Sequence, residues 1–173
     1  MLQIHKNVLS KDFCEHLIKK FDELEKDTTH SMFDQIEMKN IEIWKNELYF
    51  LLKIVDGITE KYCSIFDPFK LMPQKNRVEG FRIKRYEPNK HRFPLHVDAS
   101  NIKTCTRYLA FLFYLNDNEA GTKFHDYANS DVNLIEAKQG NVLIFPPMWM
   151  FPHEGLMPTK TPKYIMSTYL HFV

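Results

Sequence analysis

The chain has 173 residues, 44% hydrophobic and 26% charged, the balance of a globular domain long enough to bury one core. Lysine and arginine number 23 against 22 acidic residues, so a net charge of +1 gives no global field, and neither nucleic acid nor a membrane is expected as a partner. With 14 Phe and 8 Tyr against 5 Gly, a disordered or low-complexity chain is excluded.

The predicted elements begin with a short strand in "IHKNVL". Ser10 is placed to cap a helix over 11–26, where Phe13, Leu17, Phe21 and Leu24 recur at helical spacing. A second helix fits 41–66, along which Trp44, Leu48, Leu51, Leu52, Val55, Ile58 and Tyr62 form one apolar stripe. Two prolines in "DPFKLMP" end it, and from Gly80 onward the pattern turns to β. Strands are predicted in "FRIKRYE", "PLHVDA", "TRYLAFLFYLN", "TKFHDYA", "VNLIEA", "GNVLIFP" and "KYIMSTYLHFV", with turns at "DNEAG", "ANSD" and "AKQG". Helices first and strands afterwards predict an α+β single domain over 1–173: a helical lead-in, 1–79, laid on a double-sheet jelly roll, 80–173.

Cys14, Cys63 and Cys105 are odd in number and widely spaced, which suits free thiols in a reducing compartment better than disulfides or a zinc site. Cys105 lacks the neighbours of a thiol nucleophile. The first residues show no secretory pattern and no run is long enough to span a bilayer, so the expected location is the cytoplasm.

Chemistry concentrates in the second half. In a strand, residues two apart share a face, so His96 and Asp98 of "HVD" present a nitrogen and an oxygen ligand to one point. Alone, the pair is as well explained by a hydrogen bond inside a sandwich. His153, in "PPMWMFPHEG", adds a second imidazole, and two histidines with one carboxylate make the facial triad of a ferrous site. Zinc would accept the same trio, but the His-Glu-x-x-His helix signature is absent. Lys163, ten positions further on, opens the last strand. A lysine inside the sandwich implies an anionic co-ligand, for which a dicarboxylic acid fits; at an exposed strand end it implies nothing.

The order of Tyr86, "HVD" at 96–98, "TRYLAFLFYLND" from 106, "AGTKF" from 120, "PHEG" from 152 and Lys163 resembles the iron(II) and 2-oxoglutarate-dependent dioxygenases, in the branch holding prolyl 4-hydroxylase catalytic domains. The lead-in "VLSKDFCEHLIKKF" is similar too, so the resemblance covers nearly the whole chain. It implies a jelly roll of the double-stranded β-helix type, Fe(II) bound by His96, Asp98 and His153, and 2-oxoglutarate and O2 as co-substrates, with ascorbate a candidate accessory reductant. The distal carboxylate of 2-oxoglutarate would meet Lys163, with Thr122 and Tyr86 as hydroxyl donors, and Arg107 would help position a peptide. No catalytic side chain beyond the metal ligands is implied.

The expected reaction is hydroxylation of an aliphatic C–H, foremost a prolyl residue in a peptide or protein, with 2-oxoglutarate and O2 converted to succinate and CO2. Alternatives are the same cofactors acting on a free amino acid, another small molecule or a nucleotide, and a jelly-roll protein that binds metal without turnover. The basic residues Arg77, Arg82, Lys84, Arg85, Lys90 and Arg92 read more readily as a solvated strand face than as a steering patch. His91 and His125 read as surface or packing residues, and Met148 and Trp149 as packing more readily than as a pocket mouth.

Overall fold

A computed structural model describes residues 1–29, 31–73, 75–125 and 132–173, with only the backbone of Val132. The elements are β1 (Gln3–His5), α1 (Lys11–Glu23), β2 (Asp34–Glu37), α2 (Ile41–Phe66), β3 (Asn76–Val78), β4 (Arg82–Tyr86), β5 (Phe93–His96), β6 (Arg107–Tyr114), β7 (Asn118–His125), β8 (Val132–Ala137), β9 (Val142–Phe145), β10 (His153–Gly155) and β11 (Lys163–Phe172). The expected turn at 128–131 and the end of the strand predicted to reach residue 128 lie outside the described residues.

The helices form where capping and periodicity agree. Ser10 Oγ accepts from the Phe13 amide at 3.2 Å and Asn40 Oδ1 from the Glu42 amide at 3.0 Å, satisfying donors that the first turn leaves open. One stripe of α1 (Cys14, Leu17, Phe21) and one of α2 (Trp44, Leu51, Val55, Ile58, Tyr62) are buried. Leu24 ends α1 in extended conformation, three residues short of the bound that periodicity alone predicts.

The strands make two antiparallel sheets. The larger runs β1-β9-β6-β11-β4-β2 with β3 also on β11, and the smaller runs β5-β10-β7-β8. Alternation along the central strands decides the layering. Leu109, Phe111 and Phe113 of β6 join the two helices, together with Ile83, Ile144 and Met166. Their neighbours Ala110 and Tyr114 face the other way, into a second apolar cluster with Phe124, Phe145, Ile165 and Tyr169 between the sheets. β6 is thus buried on both faces, which is why it reads as a nearly continuous apolar run. The result is an α+β double-stranded β-helix with helices on the outside of one sheet.

The lead-in is more than helical: β1, β2 and β3 from 1–79 extend the larger sheet. β1 overlaps the short strand expected in "IHKNVL", whereas β2 and β3, four and three residues long, are too short to carry a period. The turn predicted at "DNEAG" is instead the start of β7, whose pairing with β8 shifts register between Asn118 and Thr122. Its glycine marks close approach of strands, since a Cβ on Gly121 would stand 2.1 Å from the Ile135 carbonyl oxygen.

Gly140 does serve a turn, between β8 and β9. Its φ is +81° and its carbonyl accepts from the Val8 and Leu9 amides at 2.8 and 3.1 Å, fixing the approach to α1. A Cβ there would lie 2.3 Å from Leu9 O. Gly140→Ala is expected to lose more than ~2 kcal/mol of stability. Urea unfolding should show a lower midpoint at unchanged slope, and an unshifted midpoint would refute the packing described.

Candidate metal centre and co-substrate pocket

β5 and β10 pair with His153 directly opposite His96, so the sheet itself brings two imidazoles from distant parts of the chain to one face. The His96 ring stacks on Phe93 with centroids 3.7 Å apart; His153 stacks on Phe124 and meets the edge of Phe145. Each Nδ1 lies against a backbone carbonyl two residues earlier, Pro94 O at 2.8 Å for His96 and Phe151 O at 2.9 Å for His153. A carbonyl only accepts, so both protons sit on Nδ1 and both Nε2 atoms present bare lone pairs.

Asp98 lies just beyond the end of β5 and closes the triangle. Its Oδ1 is 3.4 Å from His96 Nε2 and its Oδ2 is 3.5 Å from His153 Nε2, and the three candidate ligand atoms all lie within 4.8 Å of one another. His96 Nε2 is buried without a hydrogen-bond partner, an expensive state for a polar atom unless a cation meets it. Burial opposes charge on Asp98, but a proton shared onto the facing imidazoles, together with Lys84, outweighs it and brings the carboxyl to about 2, a part that a bound cation would take over. Burial also lowers the pKa of His153, favouring the neutral, ligating form. Two neutral imidazoles and an ionised carboxylate fit a ferrous ion with one side open.

Asp98 is held from behind. The Tyr169 hydroxyl donates to its Oδ1 at 2.9 Å and Arg107 Nη1 to its backbone oxygen at 3.1 Å. The Arg107 guanidinium lies 3.9 Å from the Tyr169 ring centroid and grips Glu79 with two bonds of 2.7 and 2.6 Å. Glu79 is also met by Arg82 at 2.6 Å and His171 at 2.7 Å. Burial works against the Glu79 charge, and these partners bring its carboxyl down to about 2. In this arrangement Arg107 anchors Asp98 and Tyr169.

The other end of the cavity is cationic. Lys163 opens β11 opposite Tyr86 of β4, and is 2% exposed. Its ammonium donates to Leu156 O at 2.7 Å and lies 4.5 Å from the Tyr86 ring centroid. Burial pulls its pKa down to about 7. Thr122 is buried on β7 and its Oγ1 accepts from Tyr114 at 2.9 Å, which leaves its own proton to donate inward. The triad, Lys163, Thr122 and Tyr86 line one cavity, so all six residues singled out as metal or co-substrate ligands come together.

Among the other lining residues, the polar or small ones that escaped the sequence reading are Lys84, Gly155, Ser167 and Tyr169. Lys84 corrects the view of its basic segment as a solvated face, being 7% exposed and turned inward. The available signal was period two, since Lys84 precedes Tyr86 by two positions and must share its side of the strand. Arg85, between them, faces outward to Asp34 at 2.8 Å and Glu87 at 2.9 Å. A Cβ on Gly155 would stand 3.7 Å from the Lys163 ammonium. His91 is buried, accepting from the Glu87 amide, and His125 pairs with Glu154 at 3.0 Å. Trp149 is 75% exposed, and Met148 packs on the core. No helix among the described residues is long and apolar enough to cross a membrane.

A jelly roll carrying two imidazoles and a carboxylate at one end of a cavity and a buried lysine at the other defines a non-haem iron oxygenase that uses a keto acid. The chain belongs to the 2OG-Fe(II) oxygenase superfamily, whose model matches residues 81–171. Its activity therefore depends on Fe(II), 2-oxoglutarate and O2. No curated protein sequence matches the chain.

Solved structures share the fold. The viral collagen prolyl hydroxylase of Paramecium bursaria Chlorella virus-1, in complex with 2-oxoglutarate, aligns over 99% of this chain and 96% of its own at 18% identity and a TM-score of 0.68. A Pseudomonas putida prolyl-4-hydroxylase aligns over 99% and 92% at 14% identity and 0.72. A Trichoplax adhaerens prolyl hydroxylase, in complex with a hypoxia inducible factor peptide fragment, aligns over 98% and 83% at 15% identity and 0.78.

Tyr169→Phe removes one bond to Asp98 and is expected to weaken Mn(II) binding, read by titration, about 10-fold. His153→Ala should weaken it further while leaving the far-ultraviolet circular dichroism unchanged. Wild-type Mn(II) affinity in His153→Ala would overturn the ligand assignment.

Proposed function

We propose that the protein hydroxylates an aliphatic carbon, with a prolyl residue in a peptide as the leading substrate, coupled to conversion of 2-oxoglutarate and O2 to succinate and CO2. The observation that carries this reading is the single cavity with His96, Asp98 and His153 at one end and Lys163 at the other. The prolyl substrate is supported by the likeness of fold to three prolyl hydroxylases.

Bound iron supplies activation of O2 and decarboxylation of the keto acid. The side chains do the rest. Asp98 and the two Nε2 atoms would hold the metal, and three protein ligands would leave it free to take co-substrate and O2. Lys163 takes the distal carboxylate of 2-oxoglutarate, with the Thr122 hydroxyl and the Tyr86 ring flanking it, and so aims the keto acid end at the metal. Phe93, Phe124 and Phe145 pack around the imidazoles and keep water from the reacting carbon. Arg107 holds Asp98 from behind, a positioning role that leaves substrate to the open mouth.

Aerobic incubation with Fe(II), 2-oxoglutarate, ascorbate and prolyl peptides should yield succinate and a peptide one oxygen atom heavier by mass spectrometry. Succinate with no gain on any prolyl peptide would remove proline as the target, and no succinate with any substrate would favour a metal-binding protein without turnover.

The buried Lys163 adds a pH signature. With its pKa near 7, it is partly neutral at and above neutrality. An anionic carboxylate favours the ammonium form and raises that pKa. Binding of 2-oxoglutarate should therefore take up protons near pH 8 and weaken as pH rises, whereas Lys163→Met should bind more weakly without proton uptake. Calorimetry in buffers of different ionisation enthalpy reads this, and zero uptake in the wild type would separate Lys163 from the co-substrate.

A further inference from the structure

Apart from the influence of the Lys84 charge on Asp98, Lys84 and Ser167 bond to nothing in the site as described. The Lys84 ammonium is nearly buried and packs 4.7 Å from the Phe33 ring and 5.3 Å from the Phe93 ring, and it meets no hydrogen-bond acceptor or ion-pair partner among the described residues. Ser167 Oγ is buried with no partner. The two are diagonal neighbours across the β4–β11 ladder, Lys84 opposite Ile165 and Ser167 opposite Arg82, and both line the cavity. An ammonium without an acceptor, beside a hydroxyl without a partner, in one largely buried cavity is the donor pair that a carboxylate satisfies.

Position separates this pair from the co-substrate anchor. Inward residues on β11 follow in the order Lys163, Ile165, Ser167, Tyr169, and Tyr169 bonds Asp98. Ser167 is four residues from Lys163 along β11, about 13 Å, and Lys84 stands opposite Ile165, two residues or about 7 Å from the Lys163–Tyr86 pair, so Ser167 is the member that lies beyond the span of 2-oxoglutarate. The charges that bear on Lys84 are Asp98, Arg82, Arg107 and Glu79, whereas the charge that bears on Lys163 is Glu119, so the two ammonium groups have different charged neighbours. Charge balance agrees. A ferrous ion, the Asp98 carboxylate, the two carboxylates of 2-oxoglutarate and the Lys163 ammonium would cancel, and Arg82 and Arg107 outnumber Glu79, so no anion among these groups is left to match Lys84. One further anion is called for.

We infer that Lys84 and Ser167 form a subsite for a carboxylate of the primary substrate, which places that carboxylate next to the carbon to be oxidised. This rests on the reading of the cavity as an oxygenase site and narrows its substrate class to a free acid or the C-terminal residue of a chain, rather than a residue in the middle of a peptide.

The test uses Zn(II)-loaded protein saturated with 2-oxoglutarate, which cannot turn over. Propionate and its neutral counterpart propionamide are titrated in while the nuclear magnetic resonance shifts of the Lys84 side chain and the Ser167 amide are followed. Propionate should give a saturable shift and propionamide none. Lys84→Met should weaken propionate at least ~10-fold, a charged hydrogen bond's worth, while 2-oxoglutarate affinity stays within a factor of two. Should Lys84→Met not fold, Ser167→Ala serves, with a severalfold loss expected.

Equal shifts from both probes, or propionate binding unaltered in the variants, would overturn the subsite. A loss confined to 2-oxoglutarate affinity would reassign Lys84 to the co-substrate. Turnover of L-proline, N-acetyl-L-proline and N-acetyl-L-prolinamide separates the sources: the first alone marks a free acid, the first two a tolerated C-terminal residue, and the amide matching the acids overturns the inference. Propionate binding without turnover of any proline derivative would keep the subsite and reject only the prolyl substrate.

Discussion

Two bare imidazole nitrogens and an ionised carboxylate converge on one point away from water, and the rest of the molecule is arranged around that constraint. Such a cluster repels itself unless a cation sits within it, so the fold must hold it together while the metal is away. It does so with the β5–β10 register, which fixes His153 opposite His96, and with aromatic rings that limit how each imidazole can turn. The two Nδ1 bonds to backbone carbonyls then select the tautomer, so the ligand atoms are chosen before any metal arrives.

Asp98 needs more help, because it lies past the end of its strand. Its support passes through Tyr169 and Arg107 to Glu79, where residues from β4, β6 and β11 meet. A half-buried ion pair contributes little net stability on its own, since desolvation offsets attraction. The gain from Arg107 and Glu79 is therefore better sought in position than in stability: a two-pronged bond and a stacked ring leave Asp98 few alternative rotamers.

Much of this was legible beforehand, and the failures have causes. α2 matches the residues read from periodicity because 26 residues carry seven helical turns of apolar signal. The triad and Lys163 were legible because strand alternation and chemical necessity act on residues close in sequence or linked by a known order. Lys84 was hidden among five other basic residues, and composition cannot say which of them points inward. Ser167 carried no charge to draw notice. Tyr169 and Glu79 act through partners 71 and 92 positions away, contacts that no local pattern encodes.

β11 shows how tightly stability and function are interleaved. It lies between β6 and β4, paired on both sides and buried on both faces. Lys163, Ile165, Ser167 and Tyr169 face the cavity, while Tyr164, Met166 and Leu170 join the cluster under the helices. A slip of one residue would exchange the two sets, placing an ammonium against the helices and apolar side chains in the metal cavity. Both losses would come together, so the register that seats the helices also seats the chemistry. Substrate choice escapes this coupling where it depends on loops at the cavity mouth. At Lys84 and Ser167 it does not, because those residues stand on the same ladder as the core.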